Sequence, residues 1–286
     1  MHLYTAEGGL RHLGILDAQR ISVKNEKGVQ QMDLQLTGKR AVVSGASAGI
    51  GRETVRILAE EGVRTAVIGR NEAALQALAK EVAGKKGPAP VIIVDDLNKR
   101  EAIGRVRDKV LSELGGVDFL INNLGQSRGF GLDTPDEDWD EAFELNFTSP
   151  RKLAQAFLPG MIERKFGRII CLTATTEPGN VSGSMTSKAA LVIWAKGLSR
   201  VVGKDGITVN CVTPGITLTP QILNNVFPKT MPTKEAQQAF LDREIPLGRF
   251  GEPADCANLI AFLCSEKASY ITGQRIYVDG GWKRSI

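Results

Sequence analysis

The chain has 286 residues, 42% of them hydrophobic and 24% charged, a globular composition with no apolar run long enough to span a bilayer. Its 36 basic and 32 acidic residues are interspersed and leave a formal charge of +4, which argues against a dedicated nucleic-acid face but leaves room for a local phosphate pocket. The only histidines are His2 and His12, which excludes a Ser-His-Asp triad, a histidine base and a histidine-held metal from the body of the chain. Cys171, Cys211, Cys256 and Cys264 form no C-x-x-C pair and lie in apolar runs. They read as buried hydrophobes in a reducing, cytoplasmic setting.

Residues 1–31 lack both sustained periodicity and the apolar core of a secretory signal, and are expected to be a loosely ordered extension of a single domain over 32–286. A first strand at Arg40–Ser44 runs into Gly45-Ala46-Ser47-Ala48-Gly49-Ile50-Gly51 and then a helix over 49–61 with Val55, Leu58 and Ala59 at core spacing. A strand that stops at glycine, with two more glycines heading a helix, lets backbone N–H groups close around a phosphate. Gly45 suits the tight turn, Gly49 a close backbone approach, and Gly51 packing without an intervening Cβ. After the second strand, 65–68, stands Gly69-Arg70-Asn71. An acid at that corner would accept from ribose hydroxyls, whereas Arg70 suits a 2′-phosphate and so favours NADP over NAD.

A helix is expected over 72–82, and the fully apolar strand Val91–Val94 is expected to be buried on both faces. Asp95-Asp96-Leu97 follows, then a helix over 99–114. The strand at 119–121 ends in Asn122-Asn123-Leu124-Gly125, whose amides are expected to bond locally and hold neighbouring strands in register. Thr134-Pro135-Asp136-Glu137 predicts a capping box opening a long helix with Trp139, Phe143, Leu145 and Phe147 on its apolar side. Asn146 interrupts that stripe and needs partners, from an active site or from structure. The strand at 168–172 leads through Thr173 to a helix carrying Ser184, Lys188, Leu191, Trp194, Ala195 and Leu198. The strand at 207–212 leads to Pro214-Gly215-Ile216-Thr217-Leu218-Thr219. Residues 217–246 have the length and composition of a lid. Their Phe227, Met231, Phe240 and Leu241 suit either an apolar ligand or packing on the body. A helix at 253–264 and a strand at 275–278 precede Asp279-Gly280-Gly281. The alternation predicts an α/β, doubly wound, Rossmann-type parallel sheet in one domain.

The ordered set Gly45-x-x-x-Gly49-x-Gly51, Asp96-Leu97, Asn122-Asn123-Leu124-Gly125, Asn146, Lys188, Asn210, Pro214-Gly215-x-x-x-Thr219 and Asp279-Gly280-Gly281 resembles the short-chain dehydrogenase/reductase family over about residues 34–286. The resemblance implies a seven-stranded sheet and a homotetramer or homodimer built on long-helix faces. It implies that Gly45, Ser47, Gly49 and Ile50 contact a pyrophosphate, with Gly51 in the same turn. Asp96 and Leu97 would then flank adenine, Asn123 would touch a ribose, and Ile216 and Thr219 would hold the nicotinamide amide. Gly125, Pro214 and Gly215 complete the set, and Lys188 would bind the nicotinamide ribose.

One departure bears on the chemistry. The family places a proton-donating Tyr four residues before the Lys, and Ser184 stands there; the partner serine position falls on Ala174 or Thr173, and the intervening loop is short. Tyr4, Tyr270 and Tyr277 all lie elsewhere. A serine hydroxyl would fall about 4 Å short of a tyrosine's, and its acidity is far weaker than a phenol's. Met185, three before Lys188, also excludes an S-x-x-K nucleophile. The candidates for catalysis are therefore Lys188, Asn146, Ser184 and Thr173, with Thr175 and Thr176 as further hydroxyls. The expected function is an NADP(H)-dependent oxidoreductase of a ketone or secondary alcohol with rerouted proton transfer. The alternative is a catalytically silent NADP-binding subunit or sensor.

Overall fold

The β-branched and aliphatic runs form β1 (Arg40–Ser44), β2 (Arg64–Gly69), β3 (Val91–Val94), β4 (Phe119–Asn122), β5 (Gly167–Leu172), β6 (Ile207–Pro214) and β7 (Arg275–Val278). In this computed structural model, residues 32–285 are described apart from Lys86, Arg100, Ser127, Arg128 and Pro178; the expected extension over 1–31 lies outside the described residues. The strands make one seven-stranded sheet in the order β3-β2-β1-β4-β5-β6-β7, every pair parallel. The chain winds outward from β1 to β3 and then returns to lay β4 against β1. That reversal puts the switch point of the sheet at the carboxyl ends of β1 and β4, where open α/β sheets bind ligands.

Helices cover both faces. Side-chain alternation sends Val42, Leu120, Ile169 and Cys211 to the face covered by α3 (Ala102–Leu114), α5 (Ser149–Glu163) and α6 (Gly183–Val202). Val43, Ile121, Ile170 and Val212 go to the face covered by α1 (Gly49–Glu60), α2 (Glu72–Val82) and α9 (Pro253–Cys264). Val55, Leu58 and Ala59 are fully buried, as their spacing predicts. All four cysteines are free and buried. Among the described residues no helix is long and apolar enough to cross a membrane, and no group of three or more His, Cys, Asp or Glu is placed to hold a metal.

Three local expectations are corrected. β3 is apolar yet forms an edge of the sheet, with Val94 47% exposed, so its composition does not mark a strand buried on both faces. The predicted capping box is not formed. Thr134 Oγ1 bonds instead to the Gly131 backbone, and α4 (Asp136–Phe143) starts after Pro135 with no side-chain cap. Finally, the long helix is broken by a π-helical turn at Glu144–Thr148, which joins α4 to α5 and carries Asn146.

The lower ends of β1 and β4 are fixed by a half-buried ion pair between Arg40 and Asp118. Arg40 donates from its backbone N and from Nε to Asp118 Oδ2 at 3.0 and 2.9 Å, and from Nη2 to Oδ1 at 2.6 Å. Burial works to raise the Asp118 pKa, but the hydrogen bonds and charge of Arg40 outweigh it and hold the carboxyl below its ordinary value. A carboxylate with a depressed folded-state pKa stabilises the fold above its unfolded pKa, and that stability is lost as pH falls through the folded one. Asp118→Asn should therefore cost about 1–3 kcal/mol at neutral pH. The deficit should narrow as pH falls below about 4, as read by denaturant midpoints across a pH series.

Candidate active site

The glycine turn is a cradle in which added Cβ atoms would collide. Gly45 sits at φ +66°, and a Cβ there would lie 2.9 Å from Asn123 Nδ2 and 3.1 Å from Leu124 Cα. At Gly51 a Cβ would stand 2.4 Å from both the Gly45 carbonyl oxygen and Asn123 Nδ2, so the first turn of α1 rests on the loop itself rather than on the sheet. At Gly49, φ +57°, it would meet Thr219 Cγ2 at 2.9 Å. No side chain caps α1 at Ala48, so its first N–H groups are left for an anion, the arrangement suited to a pyrophosphate.

Asn123 locks this cradle to β4. Its Nδ2 donates to Ser44 O at 3.2 Å and Gly45 O at 2.9 Å. Ser44 Oγ accepts from Asn123 N and Leu124 N, both at 3.2 Å. The two asparagines thus make contacts distant in sequence rather than the local ones expected, with Asn122 Nδ2 donating to Pro150 O at 3.1 Å. Ser44, a buried hydroxyl at the end of β1, is a junction residue that the sequence reading missed; a serine in an otherwise aliphatic strand was the available signal.

Arg70 is exposed at the end of β2. A Cβ at the adjoining Gly69 would lie 3.6 Å from Ser47 Cβ, so this corner borders the cradle. Asp96 Oδ1 accepts from Asn98 N, and Leu97 is buried with its carbonyl accepting from Ser149 Oγ at 2.5 Å. Opposite the cradle, Gly215 approaches Asp279 so closely that a Cβ would stand 2.7 Å from its Cα. Asp279 in turn accepts from the backbone N of Gly281 and Lys283.

Two polar groups converge on Gly125. A Cβ there would lie 2.7 Å from Lys188 Nζ and 2.9 Å from Asn146 Oδ1. The π-helical turn explains how Asn146 reaches this point: the extra residue per turn swings its side chain inward, where Nδ2 donates to Ala142 O at 2.9 Å and Oδ1 accepts from Gln126 N at 3.3 Å. Lys188 Nζ donates to Leu172 O at 3.1 Å. Burial of the ammonium lowers its pKa to about 8, only partly offset by Cys171.

The remaining candidates are turned aside. Ser184 is 4% exposed, one helical turn before Lys188, and its hydroxyl pairs with that of Ser182 at 3.0 Å. Ser182 also caps α6 by accepting from Met185 N. Thr173 Oγ1 faces β6, lying 3.3 Å from Val212 O and 2.7 Å from Thr213 Oγ1. Thr175 Oγ1 accepts from Glu177 N. Phe130, not anticipated from sequence, packs on Gly183 so tightly that a Cβ there would lie 2.1 Å from its ring, and it meets Trp139 edge-on at 4.8 Å.

The segment expected as a lid folds into a π-helical turn at Ile222–Val226, α7 (Phe227–Thr230) and α8 (Lys234–Glu244). Phe227, Met231, Leu241, Ile245 and Phe250 form an apolar cluster of their own, joined by Phe240 and Trp282. These side chains pack on one another and on Phe250 and Trp282.

With this geometry in view, the sequence model described as enoyl-(acyl carrier protein) reductase matches residues 45–283. The chain is 34% identical to 3-oxoacyl-(acyl-carrier-protein) reductase of Aquifex aeolicus over 255 residues, covering 87% of this chain and 99% of that protein. It is equally 34% identical to the Escherichia coli enzyme of the same name, over 87% of this chain and 98% of that one. L-sorbose reductase of Gluconobacter frateurii, solved with NADPH and L-sorbose, superposes with a TM-score of 0.84 at 32% identity, covering 89% of this chain and all of that one. A family match across nearly the whole folded region, together with the seven-stranded parallel sheet and its glycine cradle, shows that the chain belongs to the short-chain dehydrogenase/reductase family of oxidoreductases.

Proposed function

We propose that the protein is an NADPH-dependent reductase of a ketone, reversible toward the secondary alcohol, in which Lys188 carries the proton that the family's tyrosine usually delivers. The observation that carries this reading is the convergence of Lys188 Nζ and Asn146 Oδ1 on Gly125, with no ion pair to Lys188 among the described residues. NADPH, when bound, supplies the hydride. The chain's own part is to hold the two phosphate ends and to move one proton.

Gly45, Ser47, Gly49, Ile50 and Gly51 would cradle the pyrophosphate, and Arg70 the 2′-phosphate, since a planar guanidinium suits that group and no acid competes at the corner. The NADPH-bound sorbose reductase supports this choice. Asp96, Leu97 and Asn123 would border the adenosine, while Pro214, Gly215, Ile216 and Thr219 would border the nicotinamide end. An ammonium with a pKa of about 8 is protonated in most molecules at neutral pH yet releases its proton readily. Asn146 can hold a water beside it. Ser184 has neither the reach nor the acidity, and Thr173 is engaged with β6.

The buried Ser182–Ser184 pair favours a second reading, an NADP-binding subunit without turnover. A panel of ketones, aldehydes and acyl thioesters separates the two. Turnover in the unaltered protein, lost on Lys188→Ala by roughly a hundredfold or more, supports rerouted chemistry. Tight NADPH binding without turnover, with activity appearing in Ser184→Tyr, supports the silent subunit.

Carbonyl reduction consumes a proton, so kcat for reduction should fall as pH rises through about 8, and an inflection that survives in Lys188→Arg would remove Lys188 from that role. Arg70→Asp should weaken NADPH and improve NADH, reversing the preference by tenfold or more; an unchanged ratio of the two Kd values would exclude Arg70. We also infer a homo-oligomer, since α6 leaves Ile193 75% and Val201 65% exposed and α5 leaves Ile162 38% exposed. Light scattering should give a dimer or tetramer, shifted toward monomer by Ile193→Asp.

A further inference from the structure

The loop after β5 is held by residues distant in sequence. Arg275, on β7, reaches across β6: its Nε donates to Thr213 Oγ1 at 3.0 Å, Nη1 to Thr176 Oγ1 at 2.8 Å, and Nη2 to Ala174 O at 2.5 Å. A guanidinium only donates, so Thr213 Oγ1 accepts from Arg275, and it shares a hydrogen bond with Thr173 Oγ1, 2.7 Å away. Thr173 then donates to Val212 O.

The same loop is tied at its far end. The Glu177 carboxylate accepts from the Ser285 hydroxyl. Arg284 in turn pairs with Glu244 of α8 at 2.9 Å. The loop borders a cavity of about 130 Å³ lined by Thr175, Thr213, Tyr277 and Trp282.

The residue just before this loop, Leu172, supplies the carbonyl that anchors Lys188 Nζ. We propose that Arg275 is a positioning residue for Lys188: by fixing Ala174, Thr176 and the Thr173–Thr213 pair, it sets the place of the Leu172 carbonyl and hence of the ammonium. Arg275 acts through that carbonyl and does not itself meet the reacting atoms. The proposal rests on the reading of Lys188 as the proton carrier.

Two measurements on the full chain test it. In hydrogen exchange, Arg275→Ala should speed exchange in 172–177, where Thr173 N donates to Val212 O and Glu177 N to Thr175 Oγ1, while the α1 amides stay unchanged. In kinetics, kcat should fall roughly tenfold or more, because hydrogen bonds from a charged donor are lost at the loop. The pH midpoint should also shift. Arg275→Lys, able to reach one of the three acceptors, should recover part of both effects. Unchanged exchange in 172–177, exchange that rises throughout the chain, or a loosened loop with wild-type kcat and pH midpoint would each overturn the proposal. Failure of the Lys188 reading is seen separately, as a wild-type pH profile in Lys188→Arg; the exchange result then decides whether Arg275 holds the loop.

Discussion

The site depends on one junction, where the carboxyl ends of β1 and β4 meet at Gly45, Gly51 and Asn123. Asn123 can donate to two carbonyls of the first turn only because neither glycine has a Cβ, and a methyl at Gly51 would stand 2.4 Å from both the Gly45 oxygen and the asparagine nitrogen. Orphan backbone groups in a turn this tight need partners. Ser44 and Asn123 supply them from the two strands that the reversal of winding brings together. The glycine cradle is therefore as much a product of sheet order as of the glycine spacing that first suggests it.

Just beyond the junction the same economy of space governs Lys188. Gly125 leaves room for an ammonium and an amide oxygen to share one small volume, and withdrawal from water makes the ammonium easier to deprotonate. A lysine in bulk water would hold its proton too firmly to donate well near neutral pH. Asn146 owes its place to the π-helical turn between α4 and α5, a costly local geometry that turns frequently adopt at functional sites.

Elements that depend on local chemistry were legible in the sequence. The glycine turn, the helix over 72–82, the strands and the buried cysteines follow from periodicity and turn residues, and the fold class from their alternation. Features set by long-range partners were not. β3 reads as a core strand because composition reports apolarity and not position in the sheet. Thr134 satisfies the capping-box pattern but finds a nearer partner in Gly131. Phe227 and Phe240 have the same sequence signature whether they meet a ligand or each other's cluster. Arg275 offered no signal, because its three acceptors lie about a hundred residues away for two of them and on the neighbouring strand for the third.

These contacts also separate two tasks that a single fold combines. The cofactor end is built from backbone and small residues, where almost any substitution adds atoms to a filled space, so its pattern persists as a recognisable motif. Around Lys188 the structure is built from side chains and a loop instead: Ser184 pairs with Ser182, and Arg275 ties the loop after β5 to β7. One planar group thereby satisfies three acceptors at once. The cradle is tied through Ser44 and Asn123 instead, so the glycine motif speaks to what is bound and not to the chemistry around Lys188.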